Sequence, residues 1–145
     1  MKNIGILLDT EKEEQVDFAN RLIDLIKSSG ENIDIVIFYE SAKRMKKQFA
    51  TSTLSMEHIW SFGGTLITLS ATNLSHVINI PLEINHVYIP DYDLLLNPLS
   101  LLLTKEKFKI ICLSNVSMNN MNRTIGSNIE TKLSDNFKNI LKEIS

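Results

Sequence analysis

Residues 4–39 open with Ile4-Gly5-Ile6-Leu7-Leu8-Asp9-Thr10, continue through a charged segment and close with Ile33-Asp34-Ile35-Val36-Ile37-Phe38-Tyr39. The first run is short, continuous and apolar and stops at Asp9, which is the pattern of a strand buried on both faces. Val16, Ala19, Ile23 and Ile26 then recur at three- and four-residue spacing among charges, which predicts an amphipathic helix over residues 13–28. Ser29-Gly30 ends it. The β-branched and aromatic run 33–39 reads as a second strand. Two strands joined through a helix of this length need a crossover connection, and strands so joined run parallel. The unit decides the fold class: α/β, with helices packed on a sheet.

The rest of the chain extends the alternation. Ala42 to Phe49 has helical composition with a basic face (Lys43, Arg44, Lys46, Lys47), and Leu54, Met56, Ile59 and Trp60 suit a second short helix behind the Thr51-Ser52-Thr53 break. Gly63-Gly64 precedes a third strand, Thr65 to Leu69. Ala71 to Ile78 reads as a short helix closed near Pro81, and His86 to Ile89 as a fourth strand cut off at Pro90. The leucine-rich segment Leu94 to Leu103 suits another short helix, Phe108 to Leu113 a fifth strand and Met118 to Ile125 a helix before Gly126. Ile129 to Leu133 suits a sixth short strand, and Phe137 to Ile144 a terminal helix. We therefore expect a three-layer α/β sandwich, a Rossmann-like mostly parallel sheet of five or six strands, with residues 1–145 forming a single domain. No repeat, linker or low-complexity tract interrupts it.

Composition narrows the functional classes. The chain has 145 residues, 43% hydrophobic and 22% charged, with a formal net charge of -2. That is the make-up of a globular protein without an overall field toward nucleic acid or an anionic membrane, so neither is expected as a partner. Its one cysteine, Cys112, lies in an apolar run, where a thiol behaves as a small hydrophobe, and an intrachain disulfide is impossible. The start, MKNIGILLDTEKEE, lacks the longer apolar core and small-residue cleavage site of a secretory signal, and no run approaches the length of a membrane span. A cytoplasmic location is the expectation.

In open parallel sheets ligands bind beyond the carboxyl ends of the strands. That rule selects Asp9 and Thr10, Tyr39 and Glu40, Ser70 and Thr72, Asp91 and Asp93, and Ser114 and Asn115. The candidate ligand-binding set is Asp9, Tyr39, Ser70, Asp91, Asp93 and Ser114. Asp91-Tyr92-Asp93 has the spacing by which a divalent cation can be held against diphosphate oxygens, but also that of an Asx-type turn after Pro90 with solvated carboxylates. Gly63-Gly64 comes before its strand, whereas a phosphate-cradling loop must follow a strand and open a helix, so the pair reads as a tight turn. His58, His76 and His86 lack metal-binding i,i+4 spacing, and no metal site is expected. The basic run Lys43, Arg44, Lys46 and Lys47 reads as a solvated helix face, with a site for phosphate or an acidic partner as the alternative. No catalytic set and no cofactor can be picked from spacing.

One resemblance adds to this. An N-terminal strand, Trp60-Ser61-Phe62-Gly63-Gly64-Thr65-Leu66-Ile67 before a central strand, Val87-Tyr88-Ile89-Pro90-Asp91-Tyr92-Asp93-Leu94-Leu95, and Lys109-Ile110-Ile111-Cys112-Leu113-Ser114 together resemble small glycosyltransferase-like proteins of tailed bacteriophages. These are similar to the N-terminal Rossmann half of GT-B glycosyltransferases. Tyr88, Asp91 and Leu95 fit the pattern, while Pro90 stands where an aromatic belongs. The resemblance implies a domain binding a sugar or nucleotide-type ligand in the host cytoplasm. The chain has residues for one Rossmann domain, and GT-B enzymes react their substrates between two, so a complete active site is not expected.

Two rivals stand beside it. The leucines of the Leu94–Leu103 segment exceed what one face of a short helix buries, which suits a non-catalytic structural or interaction protein with a partner or a second copy docked there. A receiver-like regulatory domain fits less well, because Asp9 lacks an adjacent acidic pair.

Overall fold

The computed structural model describes residues 2–40, 49–80, 83–93, 108–125, 131–133 and 137–144. Strand β1 spans Lys2–Leu8, helix α1 Glu13–Ser29, β2 Ile33–Tyr39, β3 Ser52–Ser55 and β4 Gly64–Thr68. Helix α2 follows at Ala71–Val77, then β5 Ile84–Tyr88, β6 Phe108–Cys112, α3 Asn115–Ile125, β7 Thr131–Leu133 and α4 Phe137–Ile144. Short 3-10 helices cover Met56–Ser61 and Pro90–Tyr92. The expected alternation of strands and helices is present, with Gly30 in the left-handed conformation that closes α1. Two expectations, a helix over residues 42–49 and one within Leu94–Leu103, fall on residues outside this set save Phe49, which is buried.

All strand pairs are parallel, in the order β3-β2-β1-β4-β5-β6-β7. Six of these seven are the expected strands, and β3 is a short addition at one edge. It carries Leu54, and the helix expected from residue 54 is instead the 3-10 helix Met56–Ser61, which buries Ile59 and leaves Trp60 in solvent. From β1 the chain first builds toward β2 and β3, then returns and builds the other way from β4. Right-handed crossovers require that reversal to move the helices from one face to the other.

The core shows the same division. One cluster joins Val16, Phe18, Ala19, Leu22, Ile23 and Ile26 of α1 and Ile140, Leu141 and Ile144 of α4 to Ile4, Ile6 and Leu8 of β1 and to matching residues of the neighbouring strands. Across the sheet, α2 and α3 cover Tyr88, Phe108, Ile110 and Cys112, while Ile59 and Val77 cover Leu7, Phe38 and Leu66. Alternate residues of each strand thus enter opposite layers, as the two-residue pleat dictates. Thr65 donates to the Ile144 carbonyl at 3.0 Å, and Lys109 meets Glu143 at 3.4 Å, so the end of α4 is tied to β4 and β6. The fold is a Rossmann-like three-layer α/β arrangement around an open sheet.

The two adjacent glycines lie at the start of β4, on the amino edge of the sheet. Gly64 has φ 141, and a Cβ there would run into the Asn3 carbonyl, whereas a Cβ on Gly63 meets nothing within 4 Å. Only the second glycine is demanded by geometry: it lets β4 enter hard against β1.

Candidate functional site

The loop after β5 is the best-defined part of the carboxyl rim. Pro90 takes the first position of its 3-10 helix and is buried, and the two aspartates that follow bond in opposite directions along the rim, Asp91 toward the end of β6 and Asp93 toward α2. Asp93 Oδ2 accepts the Tyr88 hydroxyl at 2.7 Å and the Ala71 backbone N–H at 2.8 Å. Asp91 Oδ1 accepts the Leu113 N–H at 2.8 Å, and Oδ2 accepts the Ser114 hydroxyl at 3.1 Å. Ser70 caps α2 by accepting the Asn73 N–H at 3.1 Å, and Ser114 caps α3 by accepting the Ser117 N–H at 3.1 Å.

One short motif therefore reaches both neighbouring helix starts. Asp93 stands at the first residue of α2, and Asp91 at the approach to α3, each opposite the positive end of a helix. The alternative expectation, an Asx-type turn with solvated carboxylates, is not what the structure shows: both carboxylates accept donors from residues outside the loop and are tied into the fold.

Between the β5 loop and the first turns of α3 lies a cavity of about 350 Å³, lined by Pro90, Asp91, Asp93, Ser114, Val116, Ser117, Asn120 and Met121. Among the described residues its walls combine carboxylates, hydroxyls and an amide with apolar surface. Burial, reinforced by the Asp93 carboxylate, pushes the Tyr88 phenol far above its ordinary range, so it serves as a hydrogen-bond donor and never as a base. Burial likewise pushes the Cys112 thiol up to about 11, against a hydrogen bond from Ser117 that pulls it down, which leaves the sulfur un-ionised and unreactive. Tyr92 is also raised, first by burial, and its ring packs on Phe18 at 5.3 Å.

Of the residues selected from sequence, Asp91, Asp93 and Ser114 meet at this cavity, while Ser70 caps α2, whose first N–H bonds Asp93, and is not among the described lining residues. Asp9 and Tyr39 share the rim but not the cavity. They end β1 and β2, two and three strands from β5, or roughly 10 and 14 Å at the usual strand spacing. Asp9 turns its carboxylate to the Glu11 N–H at 3.1 Å, a local turn contact. At the crevice between β1 and β4, where the strand order reverses, fully buried Gln15 accepts the Asp9 N–H at 2.9 Å, and its Nε2 has no hydrogen-bond partner.

Val116 and Ser117 were not legible as site residues, because the expected helix starts at Met118, beyond the turn that faces the cavity, and Asn120 and Met121 fall within the expected helix with nothing in their spacing to say that they face the rim. The signal was the capping serine: Ser114 with Ser117 three residues on marks a helix start. Tyr88 enters the sequence reading as a strand residue and as a position of the resemblance, and nothing in sequence ties its hydroxyl to Asp93.

Among the described residues no group of three or more His, Cys, Asp or Glu side chains could hold a metal ion. None of their helices is long and apolar enough to cross a membrane. No protein-family model, curated protein or solved structure matches the chain.

Proposed function

We propose that the chain is a glycosyltransferase-like single domain without a complete active site, holding a sugar or nucleotide-type ligand at the carboxyl rim of its sheet. The observation that carries the reading is the convergence of Asp91, Asp93 and Ser114 on one cavity beyond β5 and β6, where parallel sheets bind their ligands. Asp91 and Asp93 accept ligand hydroxyls, Ser117 and Asn120 add polar contacts, and Val116 and Met121 supply apolar surface. The phage resemblance supports a place in the host cytoplasm.

Calorimetric titration with free sugars and nucleotide sugars tests it. Val116 is 70% exposed at the cavity wall, so Val116→Trp fills the space without disturbing the core. The expected outcome is at least a tenfold loss of affinity in the variant with unchanged thermal stability; equal affinities remove the cavity as the site. A second reading, a non-catalytic interaction module, is favoured by Trp60, 62% exposed, beside the edge strand that exposes Leu54. A chain that binds no ligand yet sediments as a dimer would favour that reading.

A further inference from the structure

We infer that the open edge of β3 docks a second copy of this chain, the two Ser52–Ser55 strands pairing antiparallel across a two-fold axis to join both sheets into one. The surface lies four strands from β5, so it stands apart from the ligand cavity, and its failure leaves that reading untouched. β3 ends the sheet and pairs on one side only, with β2. A strand in that position turns alternate N–H and C=O groups away from the sheet, and no group among the described residues bonds the outward ones of Ser52, Thr53 and Leu54. Proteins guard such edges with a charge, a proline or a cover. Ser52-Thr53-Leu54-Ser55 has no charge and no proline, and Ser52 and Leu54 are exposed. The opposite edge, β7, is three residues long with Lys132 at its middle position. Of the three large apolar side chains exposed among the described residues, two belong here: Leu54 on the strand and Trp60 on the 3-10 helix that follows.

A second copy fits this edge better than a foreign strand because the edge is complementary to itself. Antiparallel neighbours set outward-facing residues against outward-facing residues, so the axis passes through Thr53 or Leu54. One register places Leu54 against Leu54 and Thr53 against Ser55; the other places Thr53 against Thr53 and Leu54 against Ser52. Neither opposes like charges. The flanks of the strand carry opposite signs. At its amino end Lys27 donates through Nζ to the Ala50 carbonyl, and just past its carboxyl end stands exposed Glu57. An antiparallel pair brings each amino end beside the other copy's carboxyl end, so this complementarity operates twice. Trp60 adds an aromatic side chain of the kind enriched in interfaces. Pairing over so short a strand buries less than the roughly 1,200 Å² at which stable interfaces begin, so the dimer is weak and concentration-dependent.

Sedimentation equilibrium of the full chain up to about 1 mM, a range that includes weak association, should show a reversible monomer–dimer equilibrium. Leu54→Lys sets a charge on the edge and should weaken the dimer at least tenfold with thermal unfolding unchanged. Ser52→Lys, at the other exposed position, should do the same, so the result does not hang on one variant's folding. Lys27→Glu and Glu57→Lys should each weaken the dimer about threefold, and the two together should restore it, because opposite signs then meet again at both ends. A chain that stays monomeric throughout the range, or a dimer that both edge substitutions leave intact, overturns the inference. A charge-swapped double variant that dimerises more weakly than either single one overturns the antiparallel two-fold arrangement.

Discussion

Asp93 accepts two hydrogen bonds through one oxygen, and what each donor loses without it sets the cost of its removal. Asp93→Ala leaves the fully buried Tyr88 hydroxyl and the Ala71 N–H unpaired, and should cost about 2–4 kcal/mol. Tyr88→Phe deletes one donor cleanly and should cost about 1 kcal/mol. In the Tyr88→Phe background Asp93→Ala should cost about 1 kcal/mol less than alone, because one orphan is gone, and urea unfolding of the four proteins measures that coupling. Additive costs would mean that the two groups do not interact. His86 makes a separate case. It is 6% exposed on β5, its Nδ1 has no partner, and burial lowers its pKa below the ordinary 6.5. The unfolded chain therefore binds a proton that the folded chain refuses, so stability is fully present well above pH 6.5 and is lost as pH falls below it. The slope from this one group is at most about 1.4 kcal/mol per pH unit. His86→Gln should flatten the fall in urea midpoint between neutral and mildly acidic pH; an unchanged slope would locate the titrating group elsewhere.

Strand β4 shows how local geometry separates residues that look equivalent in sequence. Gly64→Ala should destabilise by more than about 2 kcal/mol, since the added methyl meets the Asn3 carbonyl in a backbone conformation that side chains rarely adopt, whereas Gly63→Ala should stay within about 0.5 kcal/mol. Thermal unfolding of the two variants checks the contrast, and equal effects would contradict it. The doublet was legible as a turn into a buried strand because it precedes the apolar run; which glycine matters depends on where β1 passes, which no local pattern encodes. The same limit explains β3. Ser52–Ser55 contains a single apolar residue, Leu54, and that residue is exposed, so the strand exists through backbone pairing with β2 and leaves no periodic trace. The strands β1, β2 and β6 were legible because each carries a mostly apolar run with buried residues on both faces, broken only by Asp34 in β2 and Lys109 in β6.

For the whole molecule, the parallel sheet and its layers followed from the strand-helix alternation, but the order of the strands did not. Hydrophobic runs tell which segments are buried, not the side of the sheet to which each is added. That missing order decided the site: it placed Asp91, Asp93 and Ser114 on adjacent strands and left Asp9 and Tyr39 beyond β4. The rim was legible, and the cavity within it was not. The most direct measurement is a two-dimensional NMR titration of the backbone amides with the free sugar that binds best. Shifts confined to Asp91, Leu113, Ser114, Val116, Ser117 and Asn120 are the predicted result. Shifts gathered at the opposite edge, around Asn3, Gly63, Gly64 and Thr65 where a second cavity of about 200 Å³ lies, would contradict it.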